Sequence, residues 1–475
     1  MLRSPMGDPV FERAPSPQGD RPLMGAAHAD AVVPAIRRRA TPARDPGNAA
    51  GAAGAAGDAP AARAHAPVRI DATVLAAGIP RPAARPPVTP DASGTISRVM
   101  YCHLDTGGHA ATLLQACIDR APAFSSVEIP PGTYTLDRRV LVSRPVTLRT
   151  AGTAGTEMSC VASPAACATL LASHDFIDPY GVLLVWSTGS VVLQDLVIDG
   201  NRAARLTSTA ARWCERGRTS SGFNAAVLDC VGCSVDEVVS KNALCGTGML
   251  WSGARAAIGR SEFRDNGDAR ASHMWADGLT VVYAPDSTIA GNRFVDNSDI
   301  GLIVGHAARS RIEHNTVLQR RQGAFAGLML DNFNSNDLDW RGDFRGATIA
   351  HNLVDCAEQL CLFGIQVGPR PWYPTRNVVG GELFGNEVRG ARIGINIDGA
   401  GVRLAPLSVF GNRVEGVPAD GVFADCARVI PTAAFNISPT SVVRLPRSVA
   451  PDAGPDAAHL SDPCQFWSGI ATTVP

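Results

Sequence analysis

The sequence predicts an all-β protein, a right-handed parallel β-helix with an N-terminal capping helix, on two repeating marks and one periodicity. An Asn recurs at Asn242, Asn266, Asn292, Asn315, Asn352, Asn386 and Asn412, in steps of 24, 26, 23, 37, 34 and 26 residues. A Gly opening a short apolar strand recurs at Gly248, Gly278, Gly301, Gly327, Gly364, Gly394 and Gly421. Two marks on nearly one beat across 224–426 imply a solenoid, whose units bury their apolar faces only against their neighbours.

The units are strands. In Gly301-Leu302-Ile303-Val304, Gly327-Leu328-Met329-Leu330, Gly364-Ile365-Gln366-Val367 and Gly394-Ile395-Asn396-Ile397 an apolar residue returns at every second place. Leu302/Val304, Leu328/Leu330, Ile365/Val367 and Ile395/Ile397 therefore face inward, and residues sharing the parity of the Gly face outward. The linkers lack the fixed helical half of a leucine-rich repeat. The recurring Asn suits a coil corner, because it tolerates the left-handed conformation and its amide can bond to the next coil.

Three regions follow in chain order. Residues 1–95 are rich in Ala, Pro, Arg and Gly, without aromatic periodicity, and read as a disordered leader or linker. Residues 96–430 form the β-helix and 431–475 a C-terminal capping segment. Within the second region come Asp105-Thr-Gly-Gly-His-Ala-Ala-Thr-Leu-Leu-Gln-Ala-Cys-Ile-Asp-Arg-Ala, then Val127-Glu-Ile-Pro-Pro-Gly-Thr-Tyr134, then Val146-Thr-Leu148. This run resembles the N-terminal entry of the pectin-lyase-like superfamily. The resemblance implies a short helix, with Leu113, Leu114, Cys117 and Ile118 turned onto the coil, plugging its open end. That fold hosts hydrolases, lyases, epimerases, tailspikes and adhesins, so function has to come from a site.

The net charge is −1, which provides no field for nucleic acid or a membrane surface. Lys241 is the only lysine, so lysine chemistry has no other candidate. Twelve Cys include the close pairs Cys160/Cys167, Cys230/Cys233 and Cys356/Cys361, which read as local disulfides. The rival reading is a zinc site at Cys230 and Cys233, with Cys214 and Cys245 completing it. Disulfides imply a secreted or periplasmic protein, although residues 1–30 show no clear signal peptide. No segment is long and apolar enough to span a membrane.

The chemistry is expected where the repeat swells. Long insertions follow the strands at Gly327 and Gly364. They carry Asn332 and Trp340, then Arg370, Trp372 and Tyr373, with His273 and Trp275 before the strand at Gly278. An arginine-bearing insertion spans 202–222. Aromatic rings stack on sugar faces, and Asp, Asn and Arg bond hydroxyls and carboxylates. A polysaccharide or oligosaccharide partner follows, with His273, Trp275, His306, Asn332, Trp340, Gln366, Arg370, Trp372, Tyr373, Arg392, Asn396 and Asp398 as binding residues. Asp277, Asp299 and Asp331 lie on three successive coils, within about 5–10 Å at the spacing of stacked strands, and are the catalytic candidates. Such carboxylates supply the acid and base of glycoside hydrolysis, and their mutual repulsion keeps one protonated.

Trp275-Ala-Asp277-Gly278-Leu279, followed by Asn297-Ser-Asp299-Ile-Gly301, resembles the polygalacturonase-type glycoside hydrolases. By position Asp277 matches the first motif Asp and Asp299 the first of the Asp pair. The second of that pair is Ile300 here, the His slot is Ala326, and no Arg-x-Lys follows. Two alternatives stay open. In a polyuronate lyase or C5-epimerase, Arg392, His273 or His306 would be the base, with Ca²⁺ or arginine neutralising the substrate carboxylate. In a non-catalytic glycan-binding or surface solenoid, the acidic residues only solubilise a sheet face. The hydrolase reading calls for no cofactor.

Overall fold

The computed structural model describes residues 99–416, apart from 106–107, 157, 216–221, 272, 334–341, 369–377, 398–399 and 402–406, together with Asn436–Ile437. The expected leader, most of the C-terminal cap and Gly421 lie outside the described residues, as do Trp340, Arg370, Trp372, Tyr373 and Asp398.

The chain is a right-handed parallel β-helix. Among the described residues three long sheets of twelve, nine and ten strands run the length of the solenoid, and every pairing within them is parallel. One coil shows the order. Glu262–Arg264 belongs to the ten-stranded sheet, Ala276–Tyr283 to the nine-stranded sheet and Thr288–Ala290 to the twelve-stranded sheet, before Arg293–Val295 begins the next turn. Inward residues Leu279, Val281, Leu302, Val304, Leu328, Leu330, Ile365, Val367, Ile395 and Ile397 join one continuous core, as the period of two requires.

The corners explain the repeat marks and correct two of their readings. Asn292, Asn315, Asn352, Asn386 and Asn412 stand where the twelve-stranded sheet turns into the ten-stranded one. Each Nδ2 donates to Oδ1 of the next Asn at 2.9–3.0 Å. Each backbone N–H reaches the same Oδ1 at 3.0–3.1 Å. The remaining Nδ2 hydrogen goes to a strand carbonyl, as from Asn352 to Ile312 at 2.9 Å. Both amide donors and the acceptor are thereby used. Asn242 and Asn266 are at a different corner, between the ten- and nine-stranded sheets, where Asn266 donates to Asn297 at 2.8 Å. The single beat read from the sequence therefore merges two ladders. Asn242 is left-handed, with φ 58°, as expected of a corner Asn, but the five ladder Asn are not. The residue before each of them takes the positive φ, as at Gly291, His314, His351, Gly385 and Gly411, which frees the Asn to aim its amide along the stack.

The strand-opening glycines face inward, contrary to the parity expected for them. A Cβ on Gly327 would lie 2.3 Å from Val354 Cγ1, and one on Gly364 2.2 Å from Val388 Cγ1. Gly278 would meet the carbonyl oxygen of Gly301 at 2.5 Å. Gly and the following residue both point into the core, so the residue before the Gly turns outward.

The capping helix is Ala110–Arg120, burying Ala110, Ala111, Leu114, Cys117 and Ile118, with Leu113 only half-buried. Gln115 on this helix closes the open edge of the nine-stranded sheet. Its Nε2 donates to Leu141 O at 3.0 Å and its Oε1 accepts from Leu141 N at 2.7 Å, satisfying backbone groups an edge strand would leave bare. Disulfides join Cys102–Cys117, Cys160–Cys167, Cys214–Cys245, Cys230–Cys233 and Cys356–Cys361. The zinc alternative falls, because all four of its thiols are spent in two disulfides.

Replacing Asn352 with Ala removes an amide that serves two neighbouring Asn and one carbonyl. Buried groups left without partners cost about 1–3 kcal/mol each, so Asn352→Ala should lower the denaturation midpoint clearly more than substitution at exposed Arg311. Thiol labelling of unreduced, unfolded protein should leave Cys356 and Cys361 unmodified, and labelling of both would refute that bridge.

Candidate active site

The outward face of the nine-stranded sheet holds the site, and its register can be read residue by residue. One outward row runs Leu141, Leu184, Ala226, Leu250, Thr280, Ile303, Met329, Gln366, Asn396. A second, nearer the strand ends, runs Trp186, Leu228, Ser252, Tyr283. A third, at the strand starts, pairs Thr247 with Asp277. Asp277 faces outward because Gly278 and Leu279 after it are both turned inward.

Asp277 and Asp299 are the tight unit. Asp299 stands at the start of the next coil, its N–H donating to Ala276 O at 3.2 Å. Asp277 Oδ1 accepts from Ile300 N–H at 3.2 Å, and its Oδ2 lies 2.6 Å from Thr280 Oγ1. Burial and the neighbouring Asp299 push Asp277 well above the usual carboxylate range, while the Thr280 and Ile300 donors pull the other way. Burial pushes Asp299 up to about 7. Its carboxyl accepts no hydrogen bond among the described residues. Both carboxyls are raised on adjacent coils, and their mutual repulsion disfavours ionising the two together. Their surroundings differ: half-buried Asp277 has a backbone N–H and a hydroxyl on its carboxyl, and buried Asp299 has neither.

Asp331 is placed differently. It follows the strand Ala324–Leu330, its N–H bonding to Val304 O. That puts it at the opposite end of the strands from Asp277, roughly 15 Å further along at the strand rise. Its charge still acts on Asp277, more weakly than that of Asp299. Of the three expected carboxylates, Asp277 and Asp299 start adjacent coils, and Asp331 leaves the far end of its strand while its charge still raises Asp277.

The other expected residues do not converge. Arg392 stands before Ile393, four coils from Asp277, about 19 Å at the strand spacing. His273 lies beside Trp275, ring centroids 5.5 Å apart. Trp275 is buried, so it packs rather than offering a ring. Gln366 and Asn396 are on the floor row but buried, with Asn396 Nδ2 donating to Gln366 Oε1 at 2.6 Å, so they knit two coils together. His306 lies at the Asp331 end, 4.8 Å from the Tyr283 ring, and burial holds its imidazole below its ordinary value. Asn332 is buried there, its N–H donating to Asp331 Oδ1. Phe333 packs over Gly305, where any Cβ would strike its ring at 2.1 Å.

In the arginine-bearing insertion, Arg205 is consumed structurally. It is fully buried, donating to Gly200 O at 3.0 Å and Phe176 O at 2.9 Å. The insertion packs Ala210, Ala211 and Cys214 on Leu244 and Met274, held by Cys214–Cys245, and so forms a wall near the Asp277 strand. Among the described residues no group of three or more His, Cys, Asp or Glu is arranged to hold a metal ion. Sequence reasoning missed Thr247, Thr280, Tyr180 and Trp186. The parity of Thr280 within its strand could have exposed it, whereas Tyr180 and Trp186 precede the repeating window.

No family model matches the sequence, and no curated protein matches it. Among solved structures, the chain is similar to polygalacturonase from Erwinia carotovora (10% identity, 69% of this chain and 94% of that one, TM-score 0.45). It is also similar to alginate lyase from Paenibacillus (14% identity, 67% and 96%, TM-score 0.44). A third is DFA-IIIase from Arthrobacter chlorophenolicus (10% identity, 73% and 93%, TM-score 0.45). Likeness at this level concerns the fold and leaves the reaction open.

The buried carboxyls set a direction for pH. Asp195 and Asp236 are pushed up to about 6 by burial, and Asp277 and Asp299 are raised as well. A carboxyl with a folded value above its unfolded value stabilises the fold fully below about pH 4, and the benefit is lost as pH rises through 6–7. His306, held low, acts oppositely, one group against four. The melting temperature should therefore be higher at pH 5 than at pH 8, and Asp195→Asn with Asp236→Asn should flatten that slope. A flat wild-type profile would contradict the burial of these groups.

Proposed function

We propose that the chain is a carbohydrate-active enzyme, a glycoside hydrolase that cleaves a polysaccharide or oligosaccharide with Asp299 as general acid and Asp277 as base. The observation that carries this reading is the pairing of half-buried Asp277 and buried Asp299 on adjacent coils, both with raised values and with unequal hydrogen bonding. Asp299 gives its proton to the glycosidic oxygen as the bond from that oxygen to the anomeric carbon breaks. Water attacks the carbon and passes its proton to Asp277, so one water is consumed and the two carboxyls exchange states. Asp331 adds negative charge that favours a cationic transition state at a distance. The substrate would lie along the outward rows, with half-buried Trp186 three coils upstream, about 14 Å at the strand spacing, as the aromatic face.

The lyase and epimerase reading is the weaker one, because its candidate bases Arg392, His273 and His306 are not gathered around one point. The five disulfides among the described residues support export to an oxidising compartment, and no described helix is long and apolar enough to cross a membrane.

Incubation with a polysaccharide panel, followed by mass spectrometry, tests the reaction. Hydrolysis adds one water to each product pair, a lyase leaves an unsaturated end, and an epimerase leaves the mass unchanged. On a substrate so identified, Asp299→Asn should lower turnover by roughly 10²–10⁴ with the fold intact. Near-normal turnover in both Asp277→Asn and Asp299→Asn would move the site elsewhere.

A further inference from the structure

We propose that the Thr280 and Thr247 hydroxyls form a two-position relay that satisfies the Asp277 carboxyl both with and without its proton, positioning it to act as a base; this rests on the hydrolase reading above. Thr280 Oγ1 lies 2.6 Å from Asp277 Oδ2 and 2.9 Å from Thr247 Oγ1, and Thr247 Oγ1 lies 3.0 Å from the Met249 carbonyl oxygen. Each hydroxyl has a single proton to give, so the order of donors along the chain is constrained.

With Asp277 ionised, Thr280 donates to it and Thr247 donates to Thr280. With Asp277 protonated, the order reverses. Asp277 donates to Thr280, Thr280 to Thr247, and Thr247 to the Met249 carbonyl, so this order uses all three contacts as hydrogen bonds, whereas the ionised order uses the two nearest Asp277 and leaves the Met249 contact without a proton. Passing between the two orders takes only two hydroxyl rotations. Ile300 N–H holds Oδ1, which leaves Oδ2 as the seat for the arriving proton. Thr247 is buried and Thr280 half-buried. A buried carboxyl that gains and loses a proton in each turnover otherwise leaves a polar group unmet in one of its states. The charged groups acting on Asp277 are Asp299 on the next coil and Asp331 on the one after, and the preceding coil presents Thr247.

The two threonines are positioning residues, acting through Asp277. Thr280→Val removes the first link and Thr280→Ser keeps it, while Thr247→Val removes only the second. Carbon NMR of carboxyl-labelled aspartate in the full chain, assigned with Asp277→Asn, reads the Asp277 titration without any substrate. The bond to the anion is charge-assisted and stronger than the bond that the protonated acid makes, so its loss in Thr280→Val should raise the Asp277 midpoint by about one pH unit, a tenfold change in its ionisation constant. Thr247→Val should move it the same way by less, and Thr280→Ser should restore it. On a confirmed substrate the acidic limb of kcat/KM should move with the midpoint while KM stays constant. If Thr280→Val does not fold, Thr247→Val carries the test. An unmoved midpoint in a folded Val variant, or an equal displacement in Thr280→Ser and Thr280→Val, overturns the relay. Wild-type protein that titrates as expected but hydrolyses no glycan overturns the hydrolase reading and leaves the relay standing.

Discussion

The rest of this structure depends on the registration of each coil on the next at the strand spacing of about 4.8 Å. Parallel strands can slide along one another unless something marks the level, and the Asn ladder marks it. Each amide binds its neighbour through both side chain and backbone, so a coil displaced by one residue would lose several buried hydrogen bonds at once. The inward glycines add a steric mark, because any side chain there would collide with the next coil or with a core Val. Polar pairing and close approach thus specify the same level by independent means.

That registration is what brings two carboxyls together. Asp277 and Asp299 are 22 residues apart in sequence, nearly one coil, and stacking makes them neighbours. The same burial that makes them reactive makes them costly. An ionised carboxylate without donors is strongly disfavoured in a dry environment, and the solution here is asymmetric. Asp277 has a backbone N–H and a hydroxyl chain, and Asp299 has neither. An acid and a base made from one residue type, separated only by their surroundings, suit bond cleavage by paired carboxylates. Elsewhere the fold uses carboxylates conventionally, as in the exposed Arg309–Asp286 and Arg345–Asp343 pairs, which are worth little to stability.

Covering the downstream floor has a different consequence. Ile303, Met329, Gln366 and Asn396 face outward yet are buried, whereas Leu250, Thr280, Trp186 and Tyr180 remain partly open. The accessible part of the face therefore lies upstream of the swollen repeats, although the swelling is what drew attention to the region. The Asp331 end carries its own group of Tyr283, His306 and Asn332, separated from the Asp pair by most of a strand.

Composition, the alternating apolar residues and the two repeat marks by themselves determined a parallel β-helix, its capping helix and the local disulfides, because strand period and corner chemistry are short-range and written residue by residue. They also brought out Asp277 and Asp299, since both lie beside repeat marks. Which way each Gly pointed, which corner each Asn occupied, and whether Arg392, His273 and His306 met were decided only in three dimensions. Two consecutive inward residues, Gly278 and Leu279, reverse the facing of what comes before them, and coils of unequal length place equal sequence offsets at unequal heights. Thr247 and Thr280, 33 residues apart, look like ordinary strand residues until stacking puts their hydroxyls in line with Asp277.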